Sequence, residues 1–402
     1  MEILNGLLGI VFIFFIAFLF SNNKKKINWR TIGIGFIIQF AFAFAALRWS
    51  VGKLVLSKVA LGVNAAISYA NEGISFMFGS LANDPSIFAV NVLTVIIFIS
   101  SIVSILYYLG VMQFIIRSLG GALARVLQTS KLETISATAN IFLGQTEAPL
   151  LIKPYIEKLS ESELFTVMVG GLASVSGSIL VGYSMLGIPI EYLVSASFMA
   201  APAGLIISKI IYPEIHKAKV NEEIVMEKDG SANFVDAASK GALEGLNLVL
   251  AIAAILLAFV ALIALVNGVI GVIGGWFGIV DLSLQRILGY VFAPVAAIIG
   301  VPVKESVTAG SFIGQKLILN EFVAFSNLAP QIATLSPKTV AIVTFSLCGF
   351  ANISSIAILI GGIGGMAPSR KHDIARLGAK AVLGGTLANL LSAAIAGMLL
   401  TL

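Results

Sequence analysis

Two acidic segments lie within apolar sequence, where carboxylates are rare. The first is Asn140-Ile-Phe-Leu-Gly144-Gln145-Thr146-Glu147-Ala148-Pro149; the second runs from Ala309-Gly310 through Gly314-Gln315 to Asn320-Glu321-Phe322. A carboxylate at membrane depth costs at least ~2.5 kcal/mol even on lenient insertion scales, so it marks a pathway or a binding site. Gln, Thr and Glu in succession each need a buried partner, which is an expensive way to build a mere kink. Carboxylates and amides recognise hydroxyl-rich and amide-bearing molecules. No Lys or Arg falls in the expected central site, which argues against a phosphorylated or strongly anionic ligand and for a polar neutral one such as a nucleoside or sugar. Each acidic segment has a polar interruption downstream, at Ser174-Val-Ser-Gly-Ser178 and at Asn352-Ile-Ser-Ser355. Unwound carbonyls beside Asn140 and Ser174 suit a small cation, a recurrent use of broken helices.

The elements that must position these groups are membrane helices. The chain has 402 residues, 58% hydrophobic and 11% charged, against about 25% charged in soluble domains. Apolar runs of roughly 18–25 residues that do not alternate read as helical spans rather than barrel strands. The sequence therefore predicts an all-α membrane protein. Its eight transmembrane helices are placed at 3–20, 31–49, 87–111, 164–186, 190–212, 241–270, 340–366 and 382–402. The first is not a cleavable signal, because Glu2 precedes it and no small-residue cleavage pattern follows.

Residues 132–155 and 301–329 are apolar but broken by glycine and polar residues. They read as two re-entrant hairpins with tips buried in protein. Segments 51–79, 113–127 and 271–285 read as interfacial helices, and 287–299 as a short surface or half-membrane element. Residues 216–240 are the one hydrophilic stretch, a cytoplasmic linker between halves. The resulting blocks are 1–112 (N-terminal spans and a scaffold helix), 113–215 (first repeat), 241–270 (a second scaffold helix) and 271–402 (second repeat).

With both termini outside, eighteen of the 25 Lys and Arg fall on the cytoplasmic side and seven outside, Lys316 among the latter. The first hairpin then enters from the cytoplasm and the second from outside. Three spans separate them, so the repeats are inverted. The net charge of +5 and pI near 9.2 reflect these anchors rather than a nucleic-acid partner. No HExxH, GxSxG, GxxxxGK[ST] or CxxC motif is present, and no nucleophile–base pair is visible, so the protein is not read as an enzyme. The single cysteine, Cys348, reads as a small packing residue. A passive channel stays open as an alternative to a carrier.

Five segments together resemble the concentrative nucleoside transporter family, most closely its bacterial eight-span, sodium-coupled members. They are Gly144-Gln-Thr-Glu-Ala-Pro-Leu, Gly170-Gly-Leu-Ala-Ser174-Val-Ser-Gly, Val301-Pro-Val-Lys-Glu-Ser, Asn320-Glu321-Phe-Val-Ala-Phe and Cys348-Gly-Phe350-Ala-Asn352-Ile-Ser-Ser355. The resemblance covers nearly the whole chain. It implies a homotrimer in a bacterial plasma (inner) membrane that carries nucleosides such as uridine by an elevator mechanism. It also implies roles for single residues. Gly144, Gln145, Thr146 and Glu147 of the first hairpin would meet the nucleobase, with Ile179 packing on it. Glu321, Asn352 and Ser355 would meet the ribose, with Phe350 nearby. A sodium site maps to the Asn140 and Ser174 side chains and the Leu143 and Val175 carbonyls. Some relatives couple to protons instead, and the intact Asn140/Ser174 pair favours Na+.

Overall fold

Sixteen α-helices order the residues described by this computed structural model, which are 2–84, 87–215 and 230–401. No strand occurs among them. The chain opens with α1 (Glu2–Leu19), α2 (Trp29–Leu47), α3 (Ser50–Phe78), α4 (Thr94–Tyr108, entered through a π-helical turn) and α5 (Val111–Leu127). It continues with α6 (Lys131–Ala139), α7 (Glu161–Ala173), α8 (Gly177–Met185), α9 (Ile190–Ile211) and α10 (Phe234–Trp276). The last third holds α11 (Leu284–Ile298), α12 (Ser306–Ile318), α13 (Glu321–Leu328), α14 (Pro337–Leu347), α15 (Ser355–Met366) and α16 (Lys371–Thr401).

Seven stretches are long and apolar enough to cross a membrane: Trp29–Leu47, Ser50–Asn83, Ala89–Tyr108, Glu161–Met185, Ile190–Ile211, Phe234–Trp276 and Pro368–Thr401. Six coincide with expected spans. The seventh contains α3, whose composition allows a crossing although Lys53, Lys58 and Glu72 punctuate it. The other two expected spans are α1, with an apolar run at Asn5–Leu19, and the α14–α15 pair, each half of which is short.

Helix starts follow the sequence. Asn28 caps α2 by accepting from the Arg30 and Thr31 amides, and Asn233 caps α10 through those of Val235 and Asp236. Ser160 and Glu163 form a reciprocal capping box on α7. Ser336 caps α14, and Glu305 in turn accepts from the Ser336 amide and hydroxyl.

Several boundaries differ from expectation. α10 is 43 residues long, or about 64 Å at 1.5 Å per residue, twice the ~30 Å hydrocarbon core. It absorbs the end of the expected linker and the start of the interfacial segment 271–285, because nothing breaks the helix before Gly278, whose φ is +70°. Residues 216–229, with His216, Lys217, Lys219 and Lys228, lie outside the described residues. The first hairpin is asymmetric: α6 descends, but Ala148–Lys158 returns as a 3-10 helix kinked at Ile152, with Pro149 and Pro154 denying it regular α-helical bonding.

The core lies where the broken helices meet α9 and α16. Phe165, Tyr183, Phe312, Phe325 and Phe345 are fully buried there. α16 packs against α7, α9, α14 and α15, while α4 packs along α10 and against α8.

Candidate functional site

The second repeat gathers Glu321, Asn352, Ser354 and Ser355 into one hydrogen-bonded network, while the Thr344 hydroxyl on α14 is buried without a partner among the described residues. α12 ends at Ile318, Asn320 caps α13 by accepting from the Val323 amide at 2.8 Å, and Glu321 is the first residue of α13. Its carboxylate is buried, 6% exposed. Tyr183 Oη donates to Glu321 Oε1 at 3.2 Å, and Asn352 Nδ2 donates to Glu321 Oε2 at 3.1 Å. Asn352 Oδ1 accepts from the Ser355 amide at 2.9 Å and from Ser354 Oγ at 2.7 Å. The Ser355 hydroxyl donates to the Phe350 carbonyl at 2.6 Å. Glu321, Phe350, Asn352 and Ser355 are therefore brought together as expected. A carboxylate offers about four acceptor sites; two are used from within, leaving capacity for two hydroxyl donors.

Tyr183 was not singled out from the sequence. A tyrosine inside an apolar span is the available signal, since its hydroxyl needs a partner once buried. Its ring also packs against Phe325 (centroids 4.4 Å apart) and Phe322 (5.2 Å), which fixes the hydroxyl over the carboxylate.

The first repeat is arranged differently. Glu147 Oε2 accepts from the Gly144 amide at 3.0 Å, closing the tip on itself and using up the backbone donor expected to face a ligand. Glu147 is exposed and lines a cavity of about 450 Å³ with Ser100, Ser104, Tyr107, Ser176 and Ser178. That cavity lies between the first hairpin and the α4–α10 pair and does not reach Glu321. Two oppositely oriented re-entrant loops lead one to expect Glu147 and Glu321 in a common solvent-accessible chamber; in this conformation they do not share one. Gln145 is buried against Gly171, and its Oε1 finds no hydrogen-bond partner. Thr146 packs on α15, where a Cβ at Gly362 would come within 2.5 Å of Thr146 Cγ2; only glycine lets the tip lie this close. Ile179 is buried on α8.

Asn140 and Ser174 converge on one turn of α7. Ser174 Oγ donates to the Gly170 carbonyl at 3.1 Å, and Asn140 Nδ2 lies 3.5 Å from where a Gly170 Cβ would sit. Asn140 Nδ2 donates to the Ser136 carbonyl, which turns Oδ1 the other way. That oxygen is fully buried and has no partner among the described residues. Leu143, three residues after Asn140, and Val175, next to Ser174, are both buried. An orphaned buried acceptor costs about 1–3 kcal/mol, which a cation bound there would recover. The residues present fit such an ion.

Backbone bonds tie each hairpin to its broken helix. The Gly177 amide donates to the Phe142 carbonyl at 2.9 Å, and the Ile353 amide to the Leu317 carbonyl at 3.2 Å. The breaks also meet each other, the Phe350 amide donating to the Ser174 carbonyl at 3.2 Å. One expectation is overturned here. Lys316 is not an outer-loop cation but a buried one, 2% exposed, at the second break. The central region therefore does contain an ammonium. Its bonds go to the Ser346 carbonyl and Asn389 Oδ1.

Known proteins resemble this chain in sequence and in fold. A family model for the Na+-dependent nucleoside transporter C-terminus matches residues 192–397, its N-terminal counterpart matches 8–81, and a nucleoside-recognition (Gate) model matches 89–189. The chain is 47% identical over 410 residues to the nucleoside permease NupC of Helicobacter pylori, covering 99% of this chain and 98% of that protein. It is 37% identical over 408 residues to human solute carrier family 28 member 3, covering 97% of this chain and 59% of that longer protein. The solved structure of CNTnw in an inward-facing substrate-bound state superposes with a TM-score of 0.94 at 48% identity, over 100% of this chain and 98% of that one. A CNTnw variant in an outward-facing state gives 0.96 at 47% identity, with the same coverage.

Proposed function

From its place in the concentrative, Na+-dependent nucleoside transporter family, to which this chain belongs, we propose that the protein carries nucleosides into the cell in symport with Na+ by elevator-type movement. The observation that carries this reading is the pairing of a preorganised acceptor with an orphaned one. Glu321 is held by Tyr183 and Asn352 with acceptor capacity to spare, while Asn140 Oδ1 is buried without a donor.

In this reading Glu321, Asn352 and Ser355 take the ribose hydroxyls, with Phe350 beside them. Gln145, Thr146 and Glu147 read the base when movement of the domain joins their cavity to the Glu321 network, with Gly144 shaping the tip and Ile179 forming an apolar wall. Asn140, Ser174 and the carbonyls of Leu143 and Val175 hold Na+. The ion binds first because it satisfies the tip that the base then meets. The two hairpins and two broken helices form the moving domain, and α4 and α10 the scaffold, assembled as a homotrimer in the plasma membrane with both termini outside.

One Na+ falling through ~100 mV releases ~2.3 kcal/mol, and a tenfold gradient adds ~1.4 kcal/mol. Together these sustain about 500-fold nucleoside accumulation.

The test is labelled uridine uptake into proteoliposomes. Uptake should rise with an inward Na+ gradient and stay flat with a pH gradient at equal choline. Uptake driven by the pH gradient alone would make the coupling ion a proton. Ion current without nucleoside would make the protein a channel.

A further inference from the structure

We propose that the Lys316 ammonium is a built-in cation. It holds the second break as the exchangeable ion proposed above holds the first, so the second repeat takes no mobile ion. The comparison with the first break rests on the Na+ reading; the role of Lys316 rests on its own contacts.

The two latching bonds set the register between repeats. Asn140 stands two residues before Phe142, whose carbonyl latches the first hairpin, and Lys316 stands one residue before Leu317, whose carbonyl latches the second. Asn140 lies against Gly170, in the last turn before the first break; Lys316 Nζ donates at 2.8 Å to the carbonyl of Ser346, in the last turn before the second. By that register Asn140 matches Gln315, one residue before Lys316; what the two side chains share is their target, the last helical turn before a break, to which one brings an orphaned oxygen and the other a positive charge.

The charge meets what a bound cation would meet. α7 and α14 both end here, and the C-terminal pole of a helix carries about half a negative charge. Asn389 of α16 gathers both ends: its Nδ2 donates to the Ala173 carbonyl at 2.6 Å and to the Cys348 carbonyl at 3.0 Å. Its Oδ1 accepts from Lys316 Nζ at 2.6 Å. Gly349 leaves the room, since a Cβ there would lie 2.4 Å from Asn389 Oδ1. Among the described residues no carboxylate lies within 4.0 Å of the ammonium, in contrast to buried Lys209, which pairs with Glu133 at 2.5 Å. Buried Glu321, five residues along, acts on the ammonium through space, but no carboxylate touches it, and a buried charge without a contacting counter-ion is costly. Neutral oxygens and converging helix poles are the means by which proteins hold metal cations in such places.

The experiment uses purified full-length protein. Thermal unfolding is followed against NaCl, with choline chloride holding ionic strength constant, for the wild type, Lys316→Gln and Lys316→Arg. At high NaCl the wild type should gain stability with ln[Na+] at the slope of one ion taken up. Lys316→Gln should be less stable in choline and recover in NaCl along a steeper line, its limiting slope moving toward that of two ions. Lys316→Arg keeps the charge and should keep the single-site curve. A Lys316→Gln protein with the wild-type curve overturns the proposal. So does one equally destabilised, or equally unfolded, in both salts, because the lysine would then be a tether rather than a cation. If the wild type shows no Na+ response, the coupling reading of the first break fails. A response gained by Lys316→Gln would still uphold this inference, and its absence would end it.

Discussion

At the second break both Glu321 oxygens accept hydrogen bonds from within the protein, and Asn352 and Ser355 bond onward to the backbone. At the first, Asn140 Oδ1, Gln145 Oε1 and Ser136 Oγ are buried without partners, and Glu147 faces a cavity. The two repeats share a hairpin latched to a broken helix and differ in what satisfies the polar groups inside. A finished network fixes its geometry before any ligand arrives, and a ligand adds to it. An unfinished one leaves a free-energy gap that a ligand closes. Affinity for the ion should therefore reside in the first repeat, and rigid recognition in the second.

The largest effect should come from opening the finished network. Glu321→Gln keeps the shape but loses charge-assisted acceptance and one of the two acceptor oxygens. At about 1.5–3 kcal/mol for a bond to a charged group, uridine uptake should fall ~10–150-fold; wild-type uptake at matched expression would remove Glu321 from the site. Next is the unfinished side. Asn140→Ala should raise the half-saturating Na+ concentration about tenfold, as loss of a bond worth ~1.4 kcal/mol would, while saturating Na+ restores uridine affinity. An unchanged sodium titration would place the ion elsewhere.

A smaller effect should follow from disturbing the contact between repeats. Gly362→Val drives a side chain into Thr146, and overpacking of about 1–3 kcal/mol should raise the uridine KM several-fold with little change in the Na+ curve. The smallest should be at the surface. Arg376 pairs with Glu161 at 2.6 Å and Asp373 at 3.2 Å in half-exposed positions. Arg376→Ala should cost no more than about 1 kcal/mol of stability and leave both titrations alone.

Much of this contrast was legible in the sequence, and the illegible parts have definite causes. Glycine within each acidic segment, joined by Pro149 in the first, marked both hairpins, because acids and amides in apolar sequence need buried partners. Asn352 and Ser355 stood out as a polar break in an apolar span, but their pairing with Glu321 came from the family resemblance. The irregular return arm at Ala148–Lys158 was hidden, since its two prolines are compatible with either a short helix or a 3-10 turn. The true length of α10 was hidden by a polarity change at residue 240, which marks where a helix leaves lipid but not where it ends. Lys316 was misplaced because charge counting assumes that a lysine near a span's end seeks water. Asn389 and Tyr183 drew no attention, as single polar residues in long apolar runs look like ordinary helix contacts.

The bonds from Gly177 to Phe142 and from Ile353 to Leu317 have a mechanical consequence. A hairpin that swung open alone, as a flap, would break the bond that fastens it to its broken helix, at a net cost of about 0.5–1.5 kcal/mol. Sliding hairpin and broken helix together breaks no such bond. Because the Phe350 amide also fastens the two pairs to each other, the smallest piece that moves cheaply is a four-part carriage. A wedge intended to jam it belongs at its outer seam with α4 and α10, not under either tip.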